Sequence, residues 1–255
     1  MSKELPSLEE MLKNGVHFGH IKEKWHPKMK PYVFAIKNGV WVIDLEKTQS
    51  NLKRAIDFME QLLKEGKTIL FVGTKRQIRE SVKKIAEELK MPYVDFRWLG
   101  GTLTNFDTVR KALKKMRDSE MQLENPEFMG KMTKKEQKNF QVNLEKMQRS
   151  MGGMRDLNKL PEAMFIIDTV EEKVAVDEAN RLKIPLIAIV DTNSDPSKIN
   201  YPIPANDDSR LGVELILNTI SENLAQVKNV VKAENVKTEI AKTEIKKLKV
   251  AKIEK

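Results

Sequence analysis

All three histidines of the chain, His17, His20 and His26, fall within ten residues of one another, in Gly15-Val-His-Phe-Gly-His-Ile-Lys-Glu-Lys-Trp-His-Pro-Lys-Met-Lys-Pro-Tyr32. Two chemistries draw on such a cluster. Imidazole nitrogens can ligate a metal or move a proton. Alternatively, the segment can lie against nucleic acid, with lysines on phosphates and flat rings on bases. The second reading uses more of the residues: Lys22, Lys24, Lys28, Lys30 and Lys37 interleave with Phe18, Trp25, Tyr32 and Phe34, opposed only by Glu23. His17 and His20 would share a helix face, but Gly15, Gly19 and Pro27 predict a loop, and Pro27 and Pro31 a stiff extended path. No His-Glu-x-x-His is present, and no serine has a base beside it in the sequence. The histidines alone make a poor zinc set. His20 keeps a claim only in combination with distant carboxylates.

Those carboxylates are Asp168 and Asp191, each at the end of an apolar run, and Asp207 and Asp208 in Pro204-Ala-Asn-Asp-Asp208. Aspartates at strand ends hold divalent cations in phosphoryl-transfer domains. They also cap segments and form Asx-turns, which the neighbouring Thr, Asn, Ser and Pro favour. Phe71-Val-Gly-Thr-Lys75 sets one glycine and one lysine after a strand, yet neither Gly-x-Gly-x-x-Gly nor Gly-x-x-x-x-Gly-Lys-Ser/Thr occurs. A pyrophosphate thus has no evident cradle. With no cysteine, disulfides and thiolate metal sites are excluded.

The elements that must position these groups follow from the apolar pattern. Val40 to Leu45, Thr68 to Val72, Met164 to Ile167 and Leu186 to Val190 are short apolar runs that read as buried parallel strands, with Tyr93 to Trp98 a fifth candidate. Amphipathic stretches from Ser50 to Lys64, Gln77 to Leu89, Val174 to Leu182 and Leu211 to Ala225 alternate with them. This alternation predicts a doubly wound α/β fold with a mainly parallel five-stranded sheet. From Asn105 to Met151 the strand signal stops; Val109, Leu113, Met116 and Leu123, then Phe140, Leu144 and Met147, recur at helical spacing. An inserted antiparallel, coiled-coil-like α-helical hairpin over 105–151 is expected, bracketed by Gly100-Gly101 and Gly152-Gly153. It divides the sheet domain into 1–104 and 152–226. Residues 227–255 are lysine-rich and repetitive and predict a flexible basic tail. The net charge of +9 favours a polyanionic partner. The start lacks a signal-peptide pattern and no apolar run is long enough to span a bilayer, so a cytoplasmic chain with no membrane partner is expected.

Ordered stretches of the sequence closely resemble the bacterial ribosomal protein S2 family of the small subunit. They include Gly15-Val-His-Phe-Gly-His20, Trp25-His-Pro-Lys-Met-Lys-Pro31, Leu70-Phe-Val-Gly-Thr-Lys-Arg76, Arg97-Trp-Leu-Gly-Gly101, Thr133-Lys-Lys-Glu136, Leu160-Pro-Glu-Ala-Met-Phe-Ile-Ile-Asp168, Glu178-Ala-Asn180, Ala188-Ile-Val-Asp-Thr-Asn-Ser-Asp-Pro196 and Ile203-Pro-Ala-Asn-Asp-Asp208. The resemblance implies a flavodoxin-like sheet and a non-catalytic role. It further implies binding of 16S rRNA at the head and body junction, late joining in assembly, and help in docking the large mRNA-capturing protein beside other small-subunit proteins. The family usually has Asn where this chain has His26, and often His where it has Trp41, which weakens a three-histidine metal site. On this reading the RNA-facing candidates are Lys22, Lys24, Trp25, Lys28, Lys30, Lys75, Arg76, Arg97 and Trp98, with no small-molecule substrate. No cofactor is expected beyond a possible structural divalent metal on His20, Asp191, Asp207 or Asp208. The alternative is a cation-dependent nucleotide-binding or phosphoryl-transfer domain built on Asp168, Asp191, Asp207 and Lys75.

Overall fold

The computed structural model describes residues 5–227. Along the chain these form α1 (Leu8–Lys13), β1 (Phe18–Ile21), β2 (Val33–Lys37), β3 (Val40–Ile43), α2 (Leu45–Lys64), β4 (Ile69–Val72), α3 (Arg79–Glu88) and β5 (Tyr93–Val94). There follow α4 (Phe106–Leu123), α5 (Pro126–Gly130), α6 (Lys134–Met151), β6 (Ala163–Ile167), α7 (Lys173–Arg181), β7 (Leu186–Val190) and β8 (Tyr201–Pro204). A last helix, α8, covers 210–227. The expected tail lies outside the described residues save for its first position.

Five strands form one sheet in the order β5-β4-β6-β7-β8, every pair parallel. Counted along the chain, that order is 2-1-3-4-5, the flavodoxin-like arrangement. Its central strands β4, β6 and β7 are buried at every position. Such strands are covered on both faces, which is why they lack polar alternation. Alternate side chains enter two cores. Phe71, Phe165, Ile187 and Ile203 face α2, α3 and α8, while Leu70, Met164, Ile166 and Ala188 face α7 and the roots of α4 and α6.

The helices start where their sequences dictate. Asp44 caps α2 by accepting from the N–H groups of Glu46 and Lys47, so the helix begins five residues before the amphipathic stretch read at Ser50. Its buried Leu52, Ala55, Ile56, Met59, Leu62 and Leu63 keep to one face. Thr133 and Glu136 close a capping box on α6. The insertion is an antiparallel pair, α4 against α6, with α5 at its tip; Phe128 meets Phe140 there, and Gln148 donates to Glu120 nearer the root. Leu113, Met116 and Leu144 are buried and continuous with the second core.

Three expectations are corrected. Val40 to Leu45 is not in the parallel sheet: β3 is the middle strand of a separate antiparallel sheet, β1-β3-β2, and only Ile43 of it is fully buried. Asn38 and Gly39, both with positive φ, make the tight turn between β2 and β3, the Asn-Gly signal that marks such hairpins. The fifth parallel strand is β8, whose Pro202 and Pro204 disguise it. Proline lacks the donor a central strand needs, and β8 is an edge strand paired with β7 alone. Finally, the loop expected around Gly15 and Gly19 contains β1, and the path expected to be extended through Pro27 and Pro31 is a 3-10 turn, Pro27–Tyr32.

Candidate nucleic-acid interface

In an open parallel sheet the crevice for a ligand lies beyond the carboxyl ends of the strands where the order reverses. Here that point lies between β4 and β6, and side chains of the chain itself occupy it. Lys75 follows β4, and its ammonium reaches Asp168 at 2.8 Å, Asp207 at 2.6 Å and Asp208 at 2.7 Å. Asp168 adopts a positive φ at the end of β6 and turns one oxygen to the N–H groups of Val170 and Glu171. The Thr74 N–H, which could have met a phosphate, is donated to the buried Glu172. Burial penalises the Lys75 charge, but the Asp207 charge and the three carboxylate hydrogen bonds outweigh it and raise the pKa. Burial lifts Asp207 to about 7, helped by the charges of Asp168 and Asp191 and opposed by Lys75.

His20 closes this cluster from β1. Its Nδ1 stands 3.2 Å from Asp191 and its Nε2 3.7 Å from Asp208, and the Asp191 carboxylate at Nδ1 raises its pKa. Of the four residues put forward for a metal, Asp207 and Asp208 meet the Lys75 ammonium, while His20 and Asp191 pair beside them. Among the described residues no group of three or more His, Asp or Glu is disposed to hold a metal ion. The cation that Asp207 and Asp208 hold is Lys75. The ammonium of Lys75, put forward as RNA-facing, is committed to three carboxylates.

Thr192, just past the end of β7, is central to the seat of the antiparallel sheet. Thr192 Oγ1 accepts the His20 N–H at 2.8 Å, and the Thr192 carbonyl accepts the His26 N–H at 2.7 Å. Gly19 passes so close that a Cβ there would stand 2.5 Å from the Thr192 methyl and 3.0 Å from the Trp41 carbonyl oxygen. Beyond this seat, His26 Nδ1 accepts the Lys28 N–H and starts the 3-10 turn. Lys28 reaches Asp195 at 2.9 Å and Ser197 at 2.7 Å. Burial alone would raise the Asp195 pKa, yet the hydrogen bonds from Ser197 and Lys28 hold it at about 2. Lys28 is therefore a tie between the 3-10 turn and the β7–β8 loop as well as a surface cation. Lys22, Lys24 and Lys30 are exposed and form no ion pair among the described residues. Trp25 stacks on Trp41 with ring centres 4.3 Å apart, and both stay half-buried. Phe34 stands out at 77% exposure beside the bulge in β2.

A second flank follows β4 and β5. Arg76 and Arg97 are exposed there. Trp98 is not: it is 8% exposed and its Nε1 donates to Glu178 at 3.1 Å, so it belongs to the core rather than to a stacking surface. Glu178, buried on α7, also accepts from the N–H groups of Gly101, Leu103 and Thr104 and from the Thr104 hydroxyl. One carboxylate thus gathers the turn from which the hairpin departs. Burial opposes its charge, but these donors lower the pKa. Reading by sequence missed both Glu178 and Thr192. The signal for Glu178 was an acidic residue on the apolar face of a helix; for Thr192 nothing local distinguished it from a turn residue.

Residues 11–227 match the family model described as Ribosomal protein S2. The chain is 44% identical over 220 residues to the small ribosomal subunit protein uS2 of Acidothermus cellulolyticus, covering 86% of this chain and 80% of the relative. It is 45% identical over 230 residues to that of Phocaeicola vulgatus, covering 90% and 82%, and 43% identical over 220 residues to that of Coprothermobacter proteolyticus, covering 86% and 82%.

Proposed function

Since the chain belongs to the ribosomal protein S2 family, we propose that it is a non-catalytic component of the small ribosomal subunit that binds 16S rRNA through the carboxyl edge of its sheet domain. The observation that carries this is the exposed trio Lys22, Lys24 and Lys30, free of carboxylate partners among the described residues and flanking in sequence Trp25, which stacks on Trp41. Lysines so placed neutralise phosphates and release counterions, while rings beside them offer stacking faces. Neighbouring subunit proteins, the large mRNA-capturing one among them, are the further partners, and the head and body junction the location. Late joining and a cytoplasmic, ribosome-bound life follow from the same reading. The nucleotide alternative finds no support in a switch point already filled by Lys75 and its aspartates.

The test uses the purified full chain and small subunits washed free of this protein. Binding should weaken steeply with salt. Changing Lys22, Lys24 and Lys30 together to alanine should lower the log–log salt slope by about two to three, with the urea midpoint unchanged. Full occupancy and slope in the triple variant would remove these lysines from the interface. Calorimetry with magnesium and ATP should give no stoichiometric binding; a tight site would overturn the non-catalytic reading.

A further inference from the structure

Phe96, two residues past β5, carries two guanidinium groups over its ring. The Arg79 guanidinium carbon lies 5.0 Å from the ring centre and that of Arg149 lies 4.1 Å away. Arg79 opens α3 and is fixed, its Nε donating to the Thr74 carbonyl at 2.7 Å and its Nη2 to the Phe96 carbonyl at 3.2 Å. Arg149 comes from the last turn of α6, where the hairpin returns to the sheet domain, and it is exposed. Arg76, in the turn after β4, and Arg97, beside Phe96, are exposed as well.

None of these four arginines forms an ion pair among the described residues, whereas Arg110, Arg155 and Arg210 each meet a carboxylate. Like charges brought to one ring repel, and cation–π attraction at an exposed site returns only about 0.5–1 kcal/mol for each. An anion completes the balance. Stacking fixes the plane of a guanidinium and leaves its edge free to donate, the geometry that suits a phosphate. Arg149 spends no N–H on the protein among the described residues. The seat also lies beyond the carboxyl ends of β4 and β5, while the lysine flank lies beyond that of β7. One polyanion running along that edge meets both.

We propose that Arg149 and Arg79, held over Phe96 and accompanied in the adjoining segments by the exposed Arg76 and Arg97, form a seat for a backbone phosphate of RNA at the root of the helical hairpin. This rests on the RNA-binding reading above and adds where the hairpin meets its ligand. One arginine belongs to the hairpin and the others to the sheet domain, so the phosphate ties the two together.

The experiment again uses the full chain and small subunits stripped of it, over a KCl series. Arg149→Gln should bind about tenfold more weakly at physiological salt, the loss of one charge-assisted contact, with a salt slope lower by about one. Arg149→Lys should restore the slope, and both variants should keep the wild-type urea midpoint, because Arg149 is exposed. The chain has no cysteine, so Lys146→Cys offers a single attachment point for an iron chelate one turn away, and cleavage of 16S rRNA from it is expected. If wild type fails to bind the stripped subunits, the ribosomal reading falls and the seat with it. If wild type binds and Arg149→Gln matches it in affinity and slope, the seat alone is overturned. Weaker binding of Arg149→Gln with an unchanged slope and no RNA cleavage assigns the contact to a protein and also overturns it.

Discussion

His26 accepts the Lys28 N–H through Nδ1, the place an asparagine at the start of a helical turn fills with its side-chain oxygen. That explains how a position where the family usually has Asn tolerates histidine, and it removes the need for a metal. His20 behaves otherwise, because its partners are charged. Its pKa is raised by the close contact with Asp191, then by the charges of Asp207 and Asp208. Its stabilisation is complete below the ordinary histidine value and is lost as pH rises through the raised one. Asp207, lifted to about 7 by burial and its acidic neighbours, acts in the same direction, losing stability as pH rises from the ordinary aspartate range to about 7. Asp208, lowered chiefly by its hydrogen bond from Lys75, contributes above the ordinary aspartate value and loses its contribution in acid. The urea midpoint should therefore be higher at pH 6 than at pH 9. His20→Asn should flatten that difference; an unchanged pH profile would mean that His20 does not clamp β1 to Asp191. The chemistry of this cluster was half legible. The sequence supplied the right residues, His20, Lys75 and the aspartates, but not that the lysine would neutralise the carboxylates. That depends on which strand ends meet, a fact of topology.

Between elements, the hairpin root shows how a long insertion is held at a fixed angle. Glu178 collects five donors from the segment Trp98 to Thr104, and Glu178→Ala leaves the buried Trp98 Nε1 and Leu103 N–H without an acceptor. A loss of about 3 kcal/mol or more is expected by urea denaturation, with protease sensitivity appearing near residue 100. The returning strand of the root is tighter still. A Cβ on Gly153 would stand 2.3 Å from the Tyr93 carbonyl oxygen, whereas one on Gly152 meets nothing nearer than 3.9 Å. Gly153→Ala should cost at least 1–3 kcal/mol, while Gly152→Ala should stay within about 0.5 kcal/mol of wild type. Equal effects would mean that the glycines serve only as a turn. The pair was visible in the sequence as a place to change direction; that only its second member is pressed against β5 was not. The parallel strands β4, β6 and β7 were legible because burial on both faces erases polar alternation. β8 was hidden by its prolines, and β1 and β2 by half-exposed patterns in which Asn38-Gly39 was the overlooked signal.

For the molecule as a whole, both basic flanks lie on one edge of the sheet, the lysines beyond β7 and the arginines beyond β4 and β5. With a net charge of +9 over the chain, association should be steered by long-range attraction and slow markedly as salt rises. Stopped-flow mixing with stripped small subunits should show this in the on-rate, and a salt-independent on-rate would contradict it. Thr192 adds a consequence in time. The hydrogen bond that seats β1 joins residues 172 positions apart, so the lysine-bearing sheet is synthesised near the beginning and acquires its support near the end. At usual elongation rates the interval is roughly ten to thirty seconds. Throughout it the nascent chain carries the basic residues of its interface without their arrangement. Competence to bind is thereby tied to completion of the sheet domain, and a product truncated before residue 192 would hold the charges without the Thr192 seat beneath them.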